Sequence, residues 1–394
     1  MINNFTYYQM ITLPFSRKAY LRLKVILTWV LSAFSAIAAA QDDSIDYTNL
    51  IRGNDDGFAK VFEARPFIFP KDHGSHPEYR IEWWYITGNL EEDSNPSNQW
   101  GYQITFFRFA LASDTHKTTK PDWQSEQIYS AHFAVTDFQH QQHYQFERFS
   151  RSALGLAGAQ HTPFSVWLDN WELSSDTNNF FPLTLDALAT DNNAGKVALK
   201  LSLNSDKPMV LQGDRGFSAK SEAPGNASHY YSYTRLNTTG TVTIGDKTFT
   251  VKGSSWLDRE WGSSSLDNDQ KGWDWFALQF DDNQELMYYR LRTNNSEQNY
   301  QHPSSRGVWV NRDGTKIELS PNDVSLSPLE YWSYNSEQKY PVYWQLEIPK
   351  LNVDIKIKAV INDQLWKQQL QYWEGAMIVS GSHTGRGYLE LSGY

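Results

Sequence analysis

Gly253-Ser254-Ser255-Trp256-Leu257-Asp258-Arg259-Glu260-Trp261-Gly262 decides the reading of this chain. Two Trp, two acids and an Arg fall between positions 256 and 261. Just upstream, 241–244 and 248–252 flank Gly245-Asp246 and read as a hairpin. On an extended backbone successive side chains point to opposite faces. Trp256, Asp258 and Glu260 then share one face, and Leu257, Arg259 and Trp261 the other. One face thus carries two carboxylates about 7 Å apart beside an indole. Charge of that density is not needed to fill a core. It marks either the wall of a functional pocket or an ion-paired barrel rim in which Arg259 neutralises its neighbours. Gly272-Trp273-Asp274-Trp275-Phe276 repeats the same chemistry soon after.

The rest of the chain has the texture of strands. It holds 16 Trp, 22 Tyr and 21 Phe, and aromatics on short alternating runs favour sheet. Segments 82–90 and 100–110 form a hairpin around a polar turn. Further strands are expected at 130–138, 165–173, 184–189, 197–203, 210–212, 275–280, 285–292, 307–312, 316–319, 342–348, 353–361, 376–380 and 387–391. No segment combines helical caps with helical period, although 363–371 suits a short helical or irregular connection. One pattern occurs twice: Glu82-Trp83-Trp84-Tyr85 with a return strand reaching Arg108, and Asp274-Trp275-Phe276 with a return strand reaching Arg290 and Arg292. An acid and a Trp opening a hairpin whose partner ends in Arg is the pattern of a duplicated unit.

A chain of 394 residues suits two domains. There is no Cys, which removes disulfides, thiolate catalysis and Cys-ligated metals. The net charge is −10. Residues 1–40 hold four cations (Arg17, Lys18, Arg22, Lys24) and no acid, so the remainder carries −14 (−10 less 4). That excess of negative charge argues against nucleic-acid binding. The basic region, the apolar run 25–39 and Ala38-Ala39-Ala40 before Gln41 read as a cleaved export signal. The mature protein is then expected in a bacterial periplasm or outside the cell, with no stable membrane span. The expected division is signal 1–40, N-terminal arm 41–76, first barrel 77–262 and second barrel 263–394.

The set Glu82-Trp83-Trp84-Tyr85, Asp258-Arg259-Glu260-Trp261-Gly262, Gly272-Trp273-Asp274-Trp275-Phe276, Tyr372-Trp373-Glu374-Gly375 and the terminal 385–394 resembles the AttH-like, carotenoid 1,2-hydratase superfamily. The resemblance spans about 77–394. It implies an all-β chain of two lipocalin-like antiparallel β-barrels in tandem. It also implies hydratase or cyclase chemistry in some members, and secreted members encoded beside ABC-transporter permeases. Export suits the secreted branch better than carotenoid synthesis.

Hydrating an unactivated alkene needs a proton donor, a surface that stabilises a cation and a positioned water. A carboxyl among aromatics has a raised pKa and can be the donor, and indole and phenol faces stabilise positive charge. The candidates are Asp258, first, with Asp274 and Glu260, and Tyr231 to position water. Trp256, Trp261, Trp273, Trp275 and Trp84 are candidate ligand-binding walls, with Arg259 and Arg290. The competing reading holds these acids ionised in salt bridges to Arg259, Arg290 and Arg292. Paired acids on aromatic platforms also suit glycoside chemistry. Glu82, Arg108 and Arg151 read as a buried polar network, His132 as a hydrogen-bonded strand residue, His73 and His76 as members of a flexible loop, and 372–375 as a barrel-closing strand. No metal-ligand spacing, phosphate loop or nucleophile elbow occurs, so no cofactor is expected. The expected partner is a hydrophobic small molecule or lipid held near the junction of the barrels, with an ABC-transporter permease as a second. A carrier and a cofactor-independent hydratase are both open.

Overall fold

The computed structural model describes residues 55–113, 125–263, 270–293, 302–368 and 371–394. The expected export signal and the first part of the arm lie outside the described residues. The described residues form one compact unit, and their regular structure is strand apart from three 3-10 turns.

The first sheet opens with β1 (Ile81–Glu92), β2 (Gln99–Ala110), β3 (Gln127–Asp137) and β4 (Gln142–Arg151). It continues through β5 (Ala157–His161), β6 (Phe164–Leu168), β7 (Trp171–Ser174), β8 (Leu183–Asp191) and β9 (Gly195–Asn204). It ends with β10 (Val210–Leu211), β11 (Phe217–Ala219), β12 (Ala227–Ile244) and β13 (Lys247–Gly262). The spatial order is β4-β3-β2-β1-β13-β12-β9-β8-β7-β6-β5, with β10 and β11 on β12. The sheet curls until β6 lies back against β2, β3 and β4.

The second sheet comprises β14 (Gln270–Phe280), β15 (Glu285–Thr293), β16 (Arg306–Val310), β17 (Lys316–Leu319) and β18 (Ser325–Ser333). Then come β19 (Lys339–Ile348), β20 (Val353–Ala359), β21 (Leu365–Lys367), β22 (Gln371–Gly381) and β23 (Gly385–Leu391). Its order is β17-β16-β15-β14-β23-β22-β20-β19-β18, with β21 on β22. The connection expected to be helical or irregular thus contains a short strand, because Leu365 and Trp366 are fully buried beside β22.

Each sheet encloses its own apolar core. Ile86, Phe106, Phe133, Val166, Leu199 and Leu257 meet inside the first; Phe276, Tyr288, Trp344, Ile355, Trp373 and Leu389 meet inside the second. Strands with one wet face alternate as expected: in β20, Val353, Ile355, Ile357 and Ala359 are buried and Asp354, Lys356 and Lys358 exposed. By contrast, β1, β14 and the second half of β13 (255–262) are buried on nearly every position. Their outer faces pack against the other sheet. A third apolar cluster (Tyr85, Tyr230, Trp256, Trp275, Tyr289 and Tyr388 among its members) fills that seam.

The duplicated hairpin has a structural meaning. Glu82 on β1 stands across from Arg108 on β2, and Asp274 on β14 across from Arg290 on β15. Both pairs are ion pairs inside their barrels. Arg259 closes the first as a second cation on Glu82. Arg151 is not in this network; it donates to the Ser125 carbonyl at 2.8 Å. His73 and His76 are not in a flexible loop but buried in the barrel end. His76 stacks on Trp261 at 4.0 Å, and His73 Nδ1 lies 2.7 Å from the Tyr231 hydroxyl.

Candidate functional site at the seam

Register fixes which side chains reach the seam. Tyr85 pairs with Asp258, and Asp258 with Ser232; Trp83 pairs with Glu260, and Glu260 with Tyr230. All of these point outward from the first barrel, towards the second. From the second barrel, Trp275 stands between Tyr289 and Glu390, and Glu390 faces Glu374. Ser232 apart, they line a cavity of about 140 Å³ with mostly apolar walls. That is close to an engineered cavity of about 150 Å³ that stays dry and admits benzene.

Asp258 is the central group. It is 3 % exposed. Its carboxylate accepts from Tyr230 Oη at 2.6 Å, from Trp256 Nε1 at 2.7 Å and from the Ser232 hydroxyl. Those hydrogen bonds favour the ionised form, but burial outweighs them and Glu260 adds to it, so the carboxyl is pushed up to about 7. No salt bridge reaches Asp258 among the described residues. Its neighbour Glu260 is held differently, by Lys220 Nζ at 2.6 Å and the Ser228 hydroxyl.

The facing wall has two more carboxyls. Glu374 accepts from Tyr85 Oη across the seam at 2.5 Å. Burial first, and then the charge of Glu390, drive it well above the usual carboxyl range, against the Tyr85 and Tyr372 hydroxyls. Burial likewise raises Glu390 to about 7, against a hydrogen bond from Trp273 Nε1 at 2.9 Å. Trp275 ties the walls together, donating to Tyr230 Oη at 3.3 Å and packing edge-on to Tyr85 at 5.1 Å. The seam therefore presents carboxyls that keep a proton up to about pH 7 or beyond, beside indole and phenol faces. That combination donates protons and tolerates nearby positive charge.

Of the residues expected in the site, Asp258, Glu260, Trp256, Trp273 and Trp275 meet at the seam. The others do not. Asp274 lies inside the second barrel, bound by Arg290 at 2.7 Å, Arg292 at 3.2 Å and Tyr394 Oη at 2.6 Å. Arg290 is thus its ion-pair partner, away from the seam. Arg259, Trp84 and Trp261 point into the first barrel, where Arg259 sits 4.0 Å over the Trp84 ring. Tyr231 faces the same interior, so its neighbour Tyr230 is the phenol on Asp258. Sequence reasoning missed Tyr85, Tyr230, Lys220, Glu374 and Glu390. Alternation alone gives Tyr85 and Tyr230 once the pairing with β13 is known. Glu374 and Glu390 lie in motifs already noted, and only register brings them opposite one another.

The class follows from this geometry: two barrel-like antiparallel sheets share an aromatic, carboxyl-bearing cavity at their junction. Residues 60–394 match the family described as AttH-like, and the chain belongs to that family. A provisionally assigned AttH from Nitrosomonas europaea, at 31% identity, aligns over 86% of this chain and 99% of its own with a TM-score of 0.74. Kievitone hydratase from Nectria haematococca shares the fold at 16% identity and a TM-score of 0.61, over 85% of this chain and 96% of its own. No curated protein sequence matches this chain significantly.

Proposed function

We propose that this protein carries out acid-initiated chemistry at a carbon–carbon double bond of an apolar, isoprenoid-like molecule, adding water or closing a ring, without a cofactor and with Asp258 as the proton donor. The observation that carries the reading is the state of Asp258: buried on the cavity wall, bridged by no cation among the described residues, and pushed up to about 7. The Asp258 proton goes to the less substituted alkene carbon. The cation left on the other carbon faces Trp275, Trp273 and Tyr230. Water adds to it, and the proton that water sheds passes to a seam carboxylate. That a named hydratase has this fold supports the reading. A cavity this small takes in one prenyl-sized end of a guest rather than a long chain. A sugar would set its hydroxyls against apolar walls and leave them unpaired, which disfavours glycoside chemistry.

The apolar walls favour one second reading: an exported carrier that holds such a molecule unchanged, beside an ABC-transporter permease. One experiment separates them. The purified protein is incubated with short prenyl alkenes, water addition is followed by mass spectrometry, and binding by Trp fluorescence. The enzyme reading expects product from the wild type and binding without product from Asp258→Asn. Equal binding by both, and product from neither, would leave the carrier.

A further inference from the structure

We infer that the seam cavity is a binding site for a small alkylammonium ion, held between aromatic faces and the carboxyls of Asp258, Glu374 and Glu390. This ligand is of another class than the alkene, and its binding does not depend on turnover.

The charges around the cavity do not balance. Asp258, Glu260, Glu374 and Glu390 line it together with one cation, Lys220. Lys220 is taken by Glu260, at 2.6 Å. Among the described residues no cation reaches the other three carboxyls. Buried carboxylates are ordinarily paired, because an isolated charge is costly away from water. Two of the three are built to be completed by a cation. Tyr230, Trp256 and Ser232 all donate to Asp258, an arrangement that suits the ionised form. Glu374 is 5% exposed. Tyr85 donates to its Oε1, while Oε2 takes no hydrogen bond from an N–H or hydroxyl of the described residues.

The same walls already hold one ammonium group. Lys220 Nζ lies 5.0 Å from the centre of the Tyr289 ring and 5.6 Å from that of Tyr230, and both rings line the cavity. Although burial opposes it, the charge of Glu260 raises the Lys220 pKa, so this side chain stays cationic. Trp83, Trp273 and Trp275 complete the aromatic lining. Aromatic cages recognise alkylammonium ions because the ring faces attract positive charge and the methyl groups pack against them. A trimethylammonium group is about the size of benzene, which a cavity of this volume admits.

Entry of the cation changes the protonation of the wall. Without it, burial keeps a proton on Asp258, Glu374 and Glu390 up to about pH 7 or beyond. A bound cation favours the ionised form of one of them, which releases its proton to solvent. Burial pushes the phenols of Tyr85, Tyr230 and Tyr372 on these walls well above their usual value, so the proton comes from a carboxyl.

The test is isothermal titration calorimetry of the full chain at about pH 7, with choline and with 3,3-dimethylbutan-1-ol, which has the same shape without the charge. Choline is expected to bind at least about tenfold more tightly. Its heat is expected to vary with the ionisation enthalpy of the buffer, as a proton is released. The variant carrying Asp258→Asn, Glu374→Gln and Glu390→Gln together is expected to bind the two probes within about twofold of each other and to release no proton. Equal affinity of the wild type for both probes, or binding of neither at about 10 mM, would overturn the inference. So would a triple variant that keeps the preference. The wild-type comparison decides by itself if the variant does not fold. Absence of alkene turnover removes the catalytic reading and leaves these affinities standing.

Discussion

At the residue scale, the proposed chemistry rests on one carboxyl, and its surroundings set its protonation. Asp258 accepts three hydrogen bonds and is still raised to about 7, because burial outweighs them. Asp258→Asn is expected to lower turnover by about 10²- to 10⁴-fold, the usual worth of a positioned general acid, in a steady-state assay. In the wild type kcat/KM is expected to fall as pH rises through about 7, where the donor loses its proton. The stability consequence has a definite sign. Between the ordinary carboxyl value, about 4, and about 7 the folded state keeps a proton that the unfolded state has released, so Asp258 costs stability increasingly across that window. The melting temperature of Asp258→Asn relative to wild type should therefore improve from pH 4 to pH 7 and level off above. A difference that stays flat over this range would show that Asp258 is ionised in the folded protein.

At the element scale, β13 serves two purposes on two faces. Leu257, Arg259 and Trp261 build the first barrel; Trp256, Asp258 and Glu260 build the cavity. Arg259 is fully buried and holds Glu82. Arg259→Ala leaves that carboxylate short of a cation and is expected to destabilise by about 3–5 kcal/mol, seen as a lower denaturant midpoint. The same strand is thus expected to yield a folding defect at 259 and, on the proposed chemistry, a functional defect at 258. The seam offers a milder case. Tyr85→Phe removes the hydrogen bond to Glu374 and is expected to cost about 1–2 kcal/mol by chemical denaturation, with both barrel cores intact.

At the scale of the molecule, the two barrels are joined by more than the aromatic seam. Glu285 of β15 is fully buried and receives Lys207 at 2.8 Å and Arg235 at 2.6 Å, both from the first half. Glu285→Ala strands two cations at this junction. Calorimetry is expected to show the single transition of the wild type separating into two, as the halves lose their coupling. A single, undivided transition in the variant would place the coupling in the aromatic seam.

Much of this was open to reading from the residues. The strand period, the aromatic load and the repeated acid–Trp hairpin determined two all-β units, because alternation along a strand is a local property. The same alternation put Asp258 and Glu260 on one face of β13, apart from Arg259. What local pattern does not carry is which face meets which barrel. Asp274 sits in the same Trp-flanked setting as Asp258, yet register turns it inward onto Arg290 and turns Asp258 outward onto Tyr230. Glu374 and Glu390 become a facing pair only through the β22–β23 ladder, and they meet Tyr85 only because the outer sheet faces pack together. Alternation is written in the sequence; the pairing of distant strands decides whether a given acid meets a cation in a core or is raised by burial at a seam.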